Sequence, residues 1–296
     1  MQKNKLVTII IPTFNRADRI KKSVLSVLNQ TYDNIELIVV DDGSTDDTQD
    51  VLSTIKDSRL RVIIQSNQGA CVARNNGIKN AQGEYIAFND SDDTWMNDKL
   101  QKQVAMLEKN NVDIVFCKEM NVTEGINDIT PYNYSEGIMY PVNNVFGIGT
   151  PTVLGKKSIF LENMFDDKMP RLQDADLLIR LAQKYKFYCL DEPLVRYKVW
   201  DDSISNNPIK LEIAIKRILN KYPNLDKDLP RFYEDLEKAT YITAIKSLKK
   251  KDKKFAKKFL ELTLSFKSSK HKEVIKIIRN KILIINIGLI HRIYSR

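Results

Sequence analysis

The first 120 residues alternate between short apolar runs and amphipathic stretches, and this alternation constrains the fold more than any other feature. The runs are rich in β-branched residues and flanked by turn residues, as strands buried on both faces of a parallel sheet require. In one amphipathic stretch, residues 18–29, the apolar positions share a helical stripe made of Ile20, Val24, Leu25 and Leu28. We predict an α/β fold with a doubly wound, Rossmann-like sheet. The predicted buried strands are Leu6–Ile11, Ile35–Val40, Leu60–Ile64, Tyr85–Phe88 and Asp113–Cys117.

Polar clusters follow the first four predicted strands, at the point where each strand ends. The carboxyl ends of parallel strands meet at one edge of a sheet, so we expect these clusters to surround a single ligand site. The clusters are Thr13–Arg16, Asp41–Asp47, Asn67–Gly69 and Asp90–Asp93.

The fourth cluster places three carboxylates within four positions, because Asp90, Asp92 and Asp93 follow the strand that ends at Phe88. Carboxylates this close repel each other unless a cation or several hydrogen-bond donors neutralise them. Residues 90 and 92 point to the same side of an extended chain, so both could face one hard cation. Magnesium or manganese bridging phosphate oxygens fits such a site. The alternative is a solvated acidic turn that caps a helix beginning near Met96.

The first two clusters offer contacts to a nucleoside. Phe14 follows the first strand, where an aromatic ring can stack on a base, although it could equally be a core or lid residue. Asp41 and Asp42 end the second strand, where a carboxylate can accept hydrogen bonds from ribose hydroxyls or from a base N–H. The alternative for this pair is an N-cap of a helix that begins at Ser44 or Thr45.

A cation and a further carboxylate complete the candidate residues. Arg74 is the only basic residue in the first half of its predicted helix, so it could contact a diphosphate or form a surface ion pair. Asp174 begins a strongly apolar helix, predicted over Asp174–Tyr185, whose dipole favours the ionised carboxylate. A carboxylate there can act as a general base towards an acceptor hydroxyl, or it can merely cap the helix.

The composition is that of a folded protein with room for a core and a second, smaller unit: 296 residues, 43% hydrophobic and 29% charged. The three cysteines are far apart and lack metal-ligand spacing, which predicts reduced core residues in the cytoplasm. The apolar run Val7–Ile11 is too short for a signal peptide, and no apolar stretch approaches the roughly 20 residues of a membrane span.

The charge distribution divides the chain into two units. The net charge is +9, but residues 209–296 contain 23 Lys and Arg against 9 Asp and Glu, whereas residues 1–208 are net acidic. Residues 119–150 lose periodicity and are expected to form a loop-rich insertion with one hairpin. Short strands are predicted near Phe187–Leu190 and Leu194–Val199, and the chain becomes helical and lysine-rich from Pro208.

The polar blocks, taken in order, resemble one known family. PTFNR, VVDDGSTD, QGACVARNNGI, GEYIAFNDSDD and QDADLLIRL lie within residues 5–205. Together they resemble the family 2 inverting glycosyltransferases of the GT-A fold, of the kind that build bacterial polysaccharides. The resemblance implies a GT-A catalytic domain over 1–207, with a nucleotide-binding part (1–118) and an acceptor-binding part (119–207). A basic helical extension is expected over 208–296.

The resemblance also implies roles for individual residues. Phe14 matches the residue that stacks on uracil, and Asp42 matches the one that hydrogen-bonds the uridine. Asp90 and Asp92 match the DxD pair, with Asp90 nearer the ribose and Asp92 as the ligand of Mn²⁺ or Mg²⁺. Asp174 falls where the family places its catalytic base. The implied donor-binding residues are Pro12, Thr13, Phe14, Asp42, Arg74, Asp90 and Ser91.

Two positions depart from the family pattern. The usual Glu-Asp pair before the base-bearing helix is Gln173-Asp174 here, which keeps the base but removes the acid beside it. Many members end the next strand with a histidine, and Trp200 stands in that place. The diphosphate and water are therefore expected to complete the metal shell.

The implied reaction is the metal-dependent, inverting transfer of a hexose or N-acetylhexosamine from a UDP-sugar to a hydroxyl of a glycan acceptor. A lipid-linked oligosaccharide in capsule, exopolysaccharide or O-antigen synthesis is the expected acceptor. A sugar nucleotidyltransferase is an alternative, but it would need a glycine- and arginine-rich loop after the first strand. A dehydrogenase would need GxGxxG, which is absent. A non-catalytic scaffold that binds nucleotide sugars would not need the carboxylates that this chain retains.

The basic region suggests where the protein acts. The segment KEVIKIIRNKILIINIGLIHRIYSR alternates isoleucine-rich and basic faces, as interfacial helices on anionic membranes do. We expect a cytoplasmic protein, peripheral at the inner face of the cell membrane, that contacts anionic lipid through residues 209–296. The alternative is that the apolar stripe packs on the catalytic domain. No nucleic-acid reader motif accompanies the charge, so nucleic acid is not an expected partner.

Overall fold

The computed structural model describes residues 4–123, 128–129, 134–140, 142–200, 203 and 207–266. The chain divides after Asn206 into two compact units. In the described residues, the first unit is a mixed sheet with helices and the second unit is helical. The predicted α/β class with a helical C-terminal region is confirmed.

The elements of each unit follow in chain order. The strands of the first unit are β1 (Val7–Thr13), β2 (Ile35–Asp41), β3 (Leu60–Ile64), β4 (Tyr85–Phe88), β5 (Thr94–Trp95), β6 (Ile114–Asn121), β7 (Asp128–Ile129), β8 (Gly137–Met139), β9 (Val153–Lys156) and β10 (Phe187–Tyr197). Its helices are α1 (Ile20–Leu28), α2 (Thr48–Ser53), α3 (Ala70–Asn80), α4 (Lys99–Lys109), α5 (Lys157–Glu162) and α6 (Gln173–Ala182). The second unit contains α7 (Pro208–Lys221), α8 (Leu225–Asp228), α9 (Pro230–Lys249) and α10 (Lys253–Leu264).

The sheet is parallel in its first half and mixed in its second. Its strands follow the order β3-β2-β1-β4-β9-β6-β10-β5, and β1, β2, β3 and β4 are all parallel. β9 runs antiparallel between β4 and β6, so it joins the parallel layer to the parallel pair of β6 and β10. The parallel layer agrees with the sequence prediction, whereas β9 was not predicted.

The central strands are buried because helices cover both of their faces. Ile9 and Ile11 point to one face and belong to the main core cluster, which also contains side chains of α1 and α4. Ile38 and Val40 point to the other face, where they pack with Ala73 of α3. This two-sided burial explains why β1, β2 and β4 are continuous apolar runs.

The structure corrects two details of the prediction and agrees with a third. Leu25 of α1 is 39% exposed, and Val27 takes its place on the buried stripe. The strand β3 lies at an edge of the sheet, so its residues Val62 and Ile64 are exposed, and the predicted burial of this strand is wrong. In the described part of residues 119–150, the consecutive strands β6 and β7 pair antiparallel, which agrees with the one expected hairpin, and β8 pairs with β10.

The second unit packs amphipathic helices around its own apolar core. The buried positions of α9 and α10 include Phe232, Leu236, Phe259 and Leu260. No helix in the described residues is long and apolar enough to span a membrane. The expected interfacial segment of the C-terminal region begins after residue 266 and lies outside the described residues.

Gly83 sets the start of β4 against β1. Its N–H donates to Oγ1 of Thr8 at 2.9 Å, and Glu84 donates its N–H to the carbonyl of Leu6 at 2.9 Å. A Cβ at position 83 would lie 2.6 Å from the Leu6 carbonyl oxygen and 2.7 Å from the Thr8 nitrogen. These are backbone atoms held in the sheet, so they cannot move aside without disturbing the β1–β4 pairing.

We therefore predict that Gly83→Ala lowers the free energy of unfolding by about 1–3 kcal/mol, the usual cost of overpacking. Chemical denaturation followed by circular dichroism measures the change. Gln82→Ala, at the exposed neighbouring position, should leave the unfolding midpoint within error of the wild type. Equal midpoints for Gly83→Ala and the wild type would contradict this account of the turn.

Candidate active site

The polar clusters lie at the carboxyl edge of the parallel layer, as expected. β1 lies between β2 and β4, and Thr13 is the register partner of Asp41. On the other side of β1, Asn89 donates its N–H to the carbonyl of Ile10 at 3.0 Å. Ser23 of α1 then donates its hydroxyl to the Asp90 carbonyl at 2.8 Å. The loops after β1, β2 and β4 are therefore neighbours around one edge.

The Asp42 carboxylate connects the end of β2 to the loop that follows β3. Its Oδ1 accepts from Gln65 Nε2 at 2.8 Å and from the Gln68 N–H at 2.9 Å, and its Oδ2 accepts from the Gly69 N–H at 2.7 Å. Asp42 is therefore not the N-cap of a helix, and α2 begins only at Thr48. The carboxylate that is predicted to contact the uridine is therefore the same one that holds this loop in place.

Two polar atoms beside β1 are buried without a hydrogen-bond partner among the described residues. They are the Oγ1 atom of Thr13 and the Oδ2 atom of Asp41. The other oxygen of Asp41 accepts from the Ser44 N–H at 2.9 Å. Pro12 is buried within β1, and Phe14 at its exit is 41% exposed. Phe14 is thus a surface ring and not a core residue.

Arg74 joins the end of β4 to the start of α6. Its Nη2 donates to Asp90 Oδ1 at 2.6 Å, and its Nη1 donates to Gln173 Oε1 at 3.0 Å. The arginine is 6% exposed, so the alternative of a surface ion pair is excluded. Through Arg74 the structure brings the predicted DxD loop next to the helix that carries Asp174.

A neighbouring residue of α3 fixes the chain before α6. Asn75 donates its amide to the Phe165 carbonyl at 2.9 Å and accepts the Phe165 N–H at 2.9 Å. The Phe165 ring lies 5.4 Å from the Arg74 guanidinium carbon and packs edge-on against Phe88 of β4. Phe165 therefore holds α3, β4 and the approach to α6 together.

Asp174 is the second residue of α6 and does not cap the helix. The N-cap position is Leu172, and Asp174 Oδ1 accepts from the adjacent Ala175 N–H at 2.8 Å. Burial raises the pKa of the Asp174 carboxyl, an effect opposed by the Ala175 hydrogen bond and by Arg74. A carboxylate with a raised pKa is a stronger base than an ordinary aspartate, as proton abstraction from a hydroxyl requires.

The acids after β4 are held partly buried and close together. Burial first, and then the charge of Asp90, raise the pKa of Asp92 to about 6. The pKa of Asp93 is raised well above its usual value by burial, Asp90, Asp92 and Glu119 of β6. The alternative that these acids cap the next helix is wrong, because α4 begins at Lys99 and its N-cap residue is Asp98. Such carboxylates favour a cation beside them.

The side chains around Asp92 suit a metal ion that is bound partly by the protein and partly by a ligand. Within the described residues, no three His, Cys, Asp or Glu side chains are arranged to bind a metal ion. The raised pKa of Asp92 shows a carboxylate whose ionised form lacks full compensation from the protein. The residues therefore fit a divalent cation bound by Asp92 together with oxygens of a phosphorylated ligand. Ser91, between the two acids, is buried.

Trp200 holds two cations at the rim of this cluster. The guanidinium carbon of Arg19 lies 4.0 Å from the centre of the indole ring, and Lys198 Nζ lies 4.5 Å from it. Arg16 and Arg19 both lower the pKa of Asp92 through their charge, so they lie near that carboxylate. The sequence identified Trp200 as a departure but did not indicate this packing, since Arg19 is 181 positions away.

The sequence did not indicate two residues that contribute to this site. Gln173 appeared only as a departure from the family pattern, whereas it is a hydrogen-bond partner of Arg74. Glu119 follows the buried part of β6 and influences Asp93, and its position at the end of a predicted strand was the available signal.

Comparisons with known proteins agree with this architecture. The model of the family described as Glycosyl transferase family 2 matches residues 8–167. An uncharacterised glycosyltransferase of Rickettsia felis is 35% identical over 197 residues, and the chain spans only 33% of the length of that relative. The Escherichia coli UDP-Glc:alpha-D-GlcNAc-diphosphoundecaprenol beta-1,3-glucosyltransferase WfgD is 32% identical over 211 residues, which are 69% of this chain and 81% of WfgD.

Solved structures show the same fold at low sequence identity. Staphylococcus aureus TarS (residues 1–349) in complex with UDP-GlcNAc has a TM-score of 0.63 and 21% identity, covering 76% of this chain and 71% of TarS. The mannosyltransferase PcManGT of Pyrobaculum calidifontis, in complex with GDP-Man and Mn²⁺, has a TM-score of 0.62 and 17% identity, covering 97% of this chain and 83% of PcManGT. The GT-A fold expected from the resemblance is therefore confirmed. Because the family model matches more than half of its length, the chain belongs to glycosyl transferase family 2.

Proposed function

We propose that this protein is an inverting glycosyltransferase that uses a UDP-sugar and a divalent metal ion. The observation that carries the proposal is the Arg74 guanidinium, which binds Asp90 at 2.6 Å and Gln173 at 3.0 Å. This contact supports a single site in which the DxD loop and the proposed base, Asp174, face the same substrate. Membership of glycosyl transferase family 2 supports the same reaction class.

The proposed reaction is one displacement at the anomeric carbon. Asp174 accepts the proton of the acceptor hydroxyl while that oxygen forms a bond to the anomeric carbon. The bond from the anomeric carbon to the diphosphate oxygen breaks on the opposite face, so the configuration inverts and UDP leaves with the bonding electrons. Arg74 offsets the negative charge that develops on the leaving diphosphate.

The donor is proposed to lie along the ends of β1, β2 and β4. Phe14 offers an exposed ring for the uracil base, and Asp42 is proposed to accept a hydrogen bond from the uridine. Asp90 is proposed to contact the ribose, and Asp92 to hold Mn²⁺ or Mg²⁺ at the diphosphate. When bound, the metal supplies positive charge to the leaving group. The other proposed donor contacts are Pro12, Thr13, Arg74 and Ser91.

The substrates are proposed from the relatives. WfgD is named for transfer of glucose from UDP-Glc to a GlcNAc-diphosphoundecaprenol acceptor, and the TarS structure contains UDP-GlcNAc. We propose that this chain transfers a hexose or N-acetylhexosamine to a lipid-linked glycan during synthesis of a cell-surface polysaccharide. A sugar nucleotidyltransferase would release pyrophosphate instead of UDP, and a non-catalytic scaffold would release neither, so product analysis separates all three.

The second unit is proposed to bind an anionic membrane from the cytoplasmic side. Ile209 and Ile213 lie one helical turn apart on α7 and are exposed, and Ile242 is exposed on α9. Lysines crowd the end of α9 and the start of α10, at positions 246, 249, 250, 251, 253 and 254. Exposed apolar side chains combined with many lysines are typical of surfaces that bind anionic lipid. A lipid-linked acceptor would lie at such a surface.

We predict that Asp174→Asn lowers turnover by about 100- to 10,000-fold, because an amide cannot accept the proton. Affinity for UDP should stay within about twofold of the wild type, since the proposed donor contacts remain. UDP release from UDP-glucose, with a synthetic GlcNAc-diphosphate lipid as acceptor, measures turnover, and calorimetry measures affinity. Asp167→Asn, at an exposed aspartate before α6, is the matched control and should keep full activity. Wild-type turnover in Asp174→Asn would rule out the base.

We predict that Asp92→Ala removes the part of UDP affinity that depends on Mn²⁺. Calorimetric titration of UDP with MnCl₂ and with EDTA separates this part from the contacts to the nucleoside. The wild type should bind UDP at least tenfold more tightly with Mn²⁺, whereas Asp92→Ala should bind equally in both conditions. Asp50→Ala, at an exposed position of α2, should behave like the wild type. A full manganese effect in Asp92→Ala would show that another residue holds the metal.

We predict that the full chain floats with vesicles containing anionic lipid and not with neutral vesicles. Reversing Lys249 and Lys250 to Glu should weaken this binding more than tenfold, because each lysine near an anionic surface contributes about 1 kcal/mol. The control reverses Lys21 and Lys22, two exposed lysines of α1, and changes the net charge equally. Equal losses in both variants would indicate a general charge effect, and absence of flotation at low salt would exclude membrane docking.

A further inference from the structure

The residue before the proposed base contacts Arg74 with a neutral side chain. Gln173 Oε1 accepts from Arg74 Nη1 at 3.0 Å, whereas Asp90 accepts from the other terminal nitrogen, Nη2. The Nε atom of Arg74 is buried and has no partner among the described residues. Asp90 is thus the one carboxylate bonded to Arg74 within the described residues, and the guanidinium retains donors for a further anion.

A second hydrogen bond makes position 173 specific for an amide. Gln173 Nε2 donates to the Met169 carbonyl oxygen at 3.1 Å, which leaves Oε1 to accept from Arg74. A glutamate could accept from Arg74 but could not donate to Met169. One of its oxygens would instead lie against a carbonyl oxygen, where two acceptors repel each other. In this chain the Met169 carbonyl therefore favours an amide at position 173 over the acid that is usual in the family.

The charges around Asp174 explain why an uncharged side chain at position 173 matters. The charged groups that act on Asp174 include Arg74 on α3, Asp90 after β4 and Arg171 in the chain before α6. A carboxylate at position 173 would add a third negative charge to this group. It would compete with a diphosphate for Arg74, and it would disfavour the ionised form of Asp174.

We propose that Gln173 is a positioning residue that orients Arg74 without placing a second carboxylate beside it, so that the guanidinium, paired with Asp90 alone, can also attract the donor diphosphate. The inference rests on the proposed function and deepens it. In this inference the neutral side chain of Gln173 maintains the affinity of the site for diphosphate and favours the ionised form of the neighbouring Asp174. A purely structural role, in which Gln173 only holds the start of α6, would depend on its hydrogen bonds and not on its charge.

The test compares Gln173→Glu with Gln173→Met, which removes the hydrogen bonds but stays neutral. Gln183→Glu makes the same change of charge at an exposed position at the end of α6 and is the matched control. Calorimetry measures the affinity of each full-length protein for inorganic pyrophosphate and for UDP, both with MnCl₂. Circular dichroism shows that each variant is folded, and turnover is followed between pH 5 and pH 9.

We expect Gln173→Glu to bind pyrophosphate and UDP roughly tenfold more weakly than the wild type, because a like charge is placed beside the anion. The acid limb of its turnover profile should move to higher pH, since the added charge raises the pKa of Asp174. Gln173→Met should lose less affinity and keep the acid limb of the wild type. Gln183→Glu should match the wild type in both measurements.

Other outcomes separate the inference from the proposed function. Unchanged affinity and pH profile in Gln173→Glu would overturn the inference, as would an equal loss in Gln173→Met with no movement of the acid limb. A wild type that binds pyrophosphate but not UDP would overturn the proposed donor. In that case weaker pyrophosphate binding by Gln173→Glu would still support the role of Gln173. A wild type that binds neither pyrophosphate nor UDP would overturn both the inference and the proposed function.

Discussion

The buried guanidinium of Arg74 is the interaction on which the rest of the site depends. A buried cation without partners would cost several kcal/mol, so it requires the carboxylate of Asp90 and the amide of Gln173 at fixed positions. Its own position is set by the start of α3. Gly69 adopts a φ of +93° before that helix and donates its N–H to Asp42. One chain of contacts therefore runs from the end of β2, through α3, to the end of β4 and the start of α6.

The acids beside this arginine show that the site is not optimised for stability alone. Asp92 and Asp93 have raised pKa values, so their ionised forms lack full compensation from the protein. Folding must bring these carboxylates together against their mutual repulsion, and the well-packed strands β1, β2 and β4 supply the stabilisation that permits this. In the proposed reaction the unbalanced charge becomes useful, because it is available to a metal ion carried with the donor.

The sequence predicted those parts of the fold that local pattern determines. β1, β2 and β4 were found because burial on both faces requires continuous apolar runs, and their common edge located the candidate acids. β9 was missed because VLGK is short and carries no alternation, and its antiparallel position depends on pairing with β4 and β6. The exposure of β3 was missed for a related reason, since an edge strand differs from a central one by its neighbours and not by its own residues.

Side-chain pairing across long sequence separations is what the sequence could not predict. Arg74 and Gln173 are 99 positions apart, and no local pattern distinguishes a buried arginine from one in a surface ion pair. Trp200 illustrates the same limit. Its indole offers no lone pair for a metal, so the departure from histidine indicated only a lost ligand. In the fold its ring packs against Arg19, whose charge acts on Asp92. Trp200 thus holds a cation, Arg19, at this rim of the site, so positive charge there comes from the protein itself.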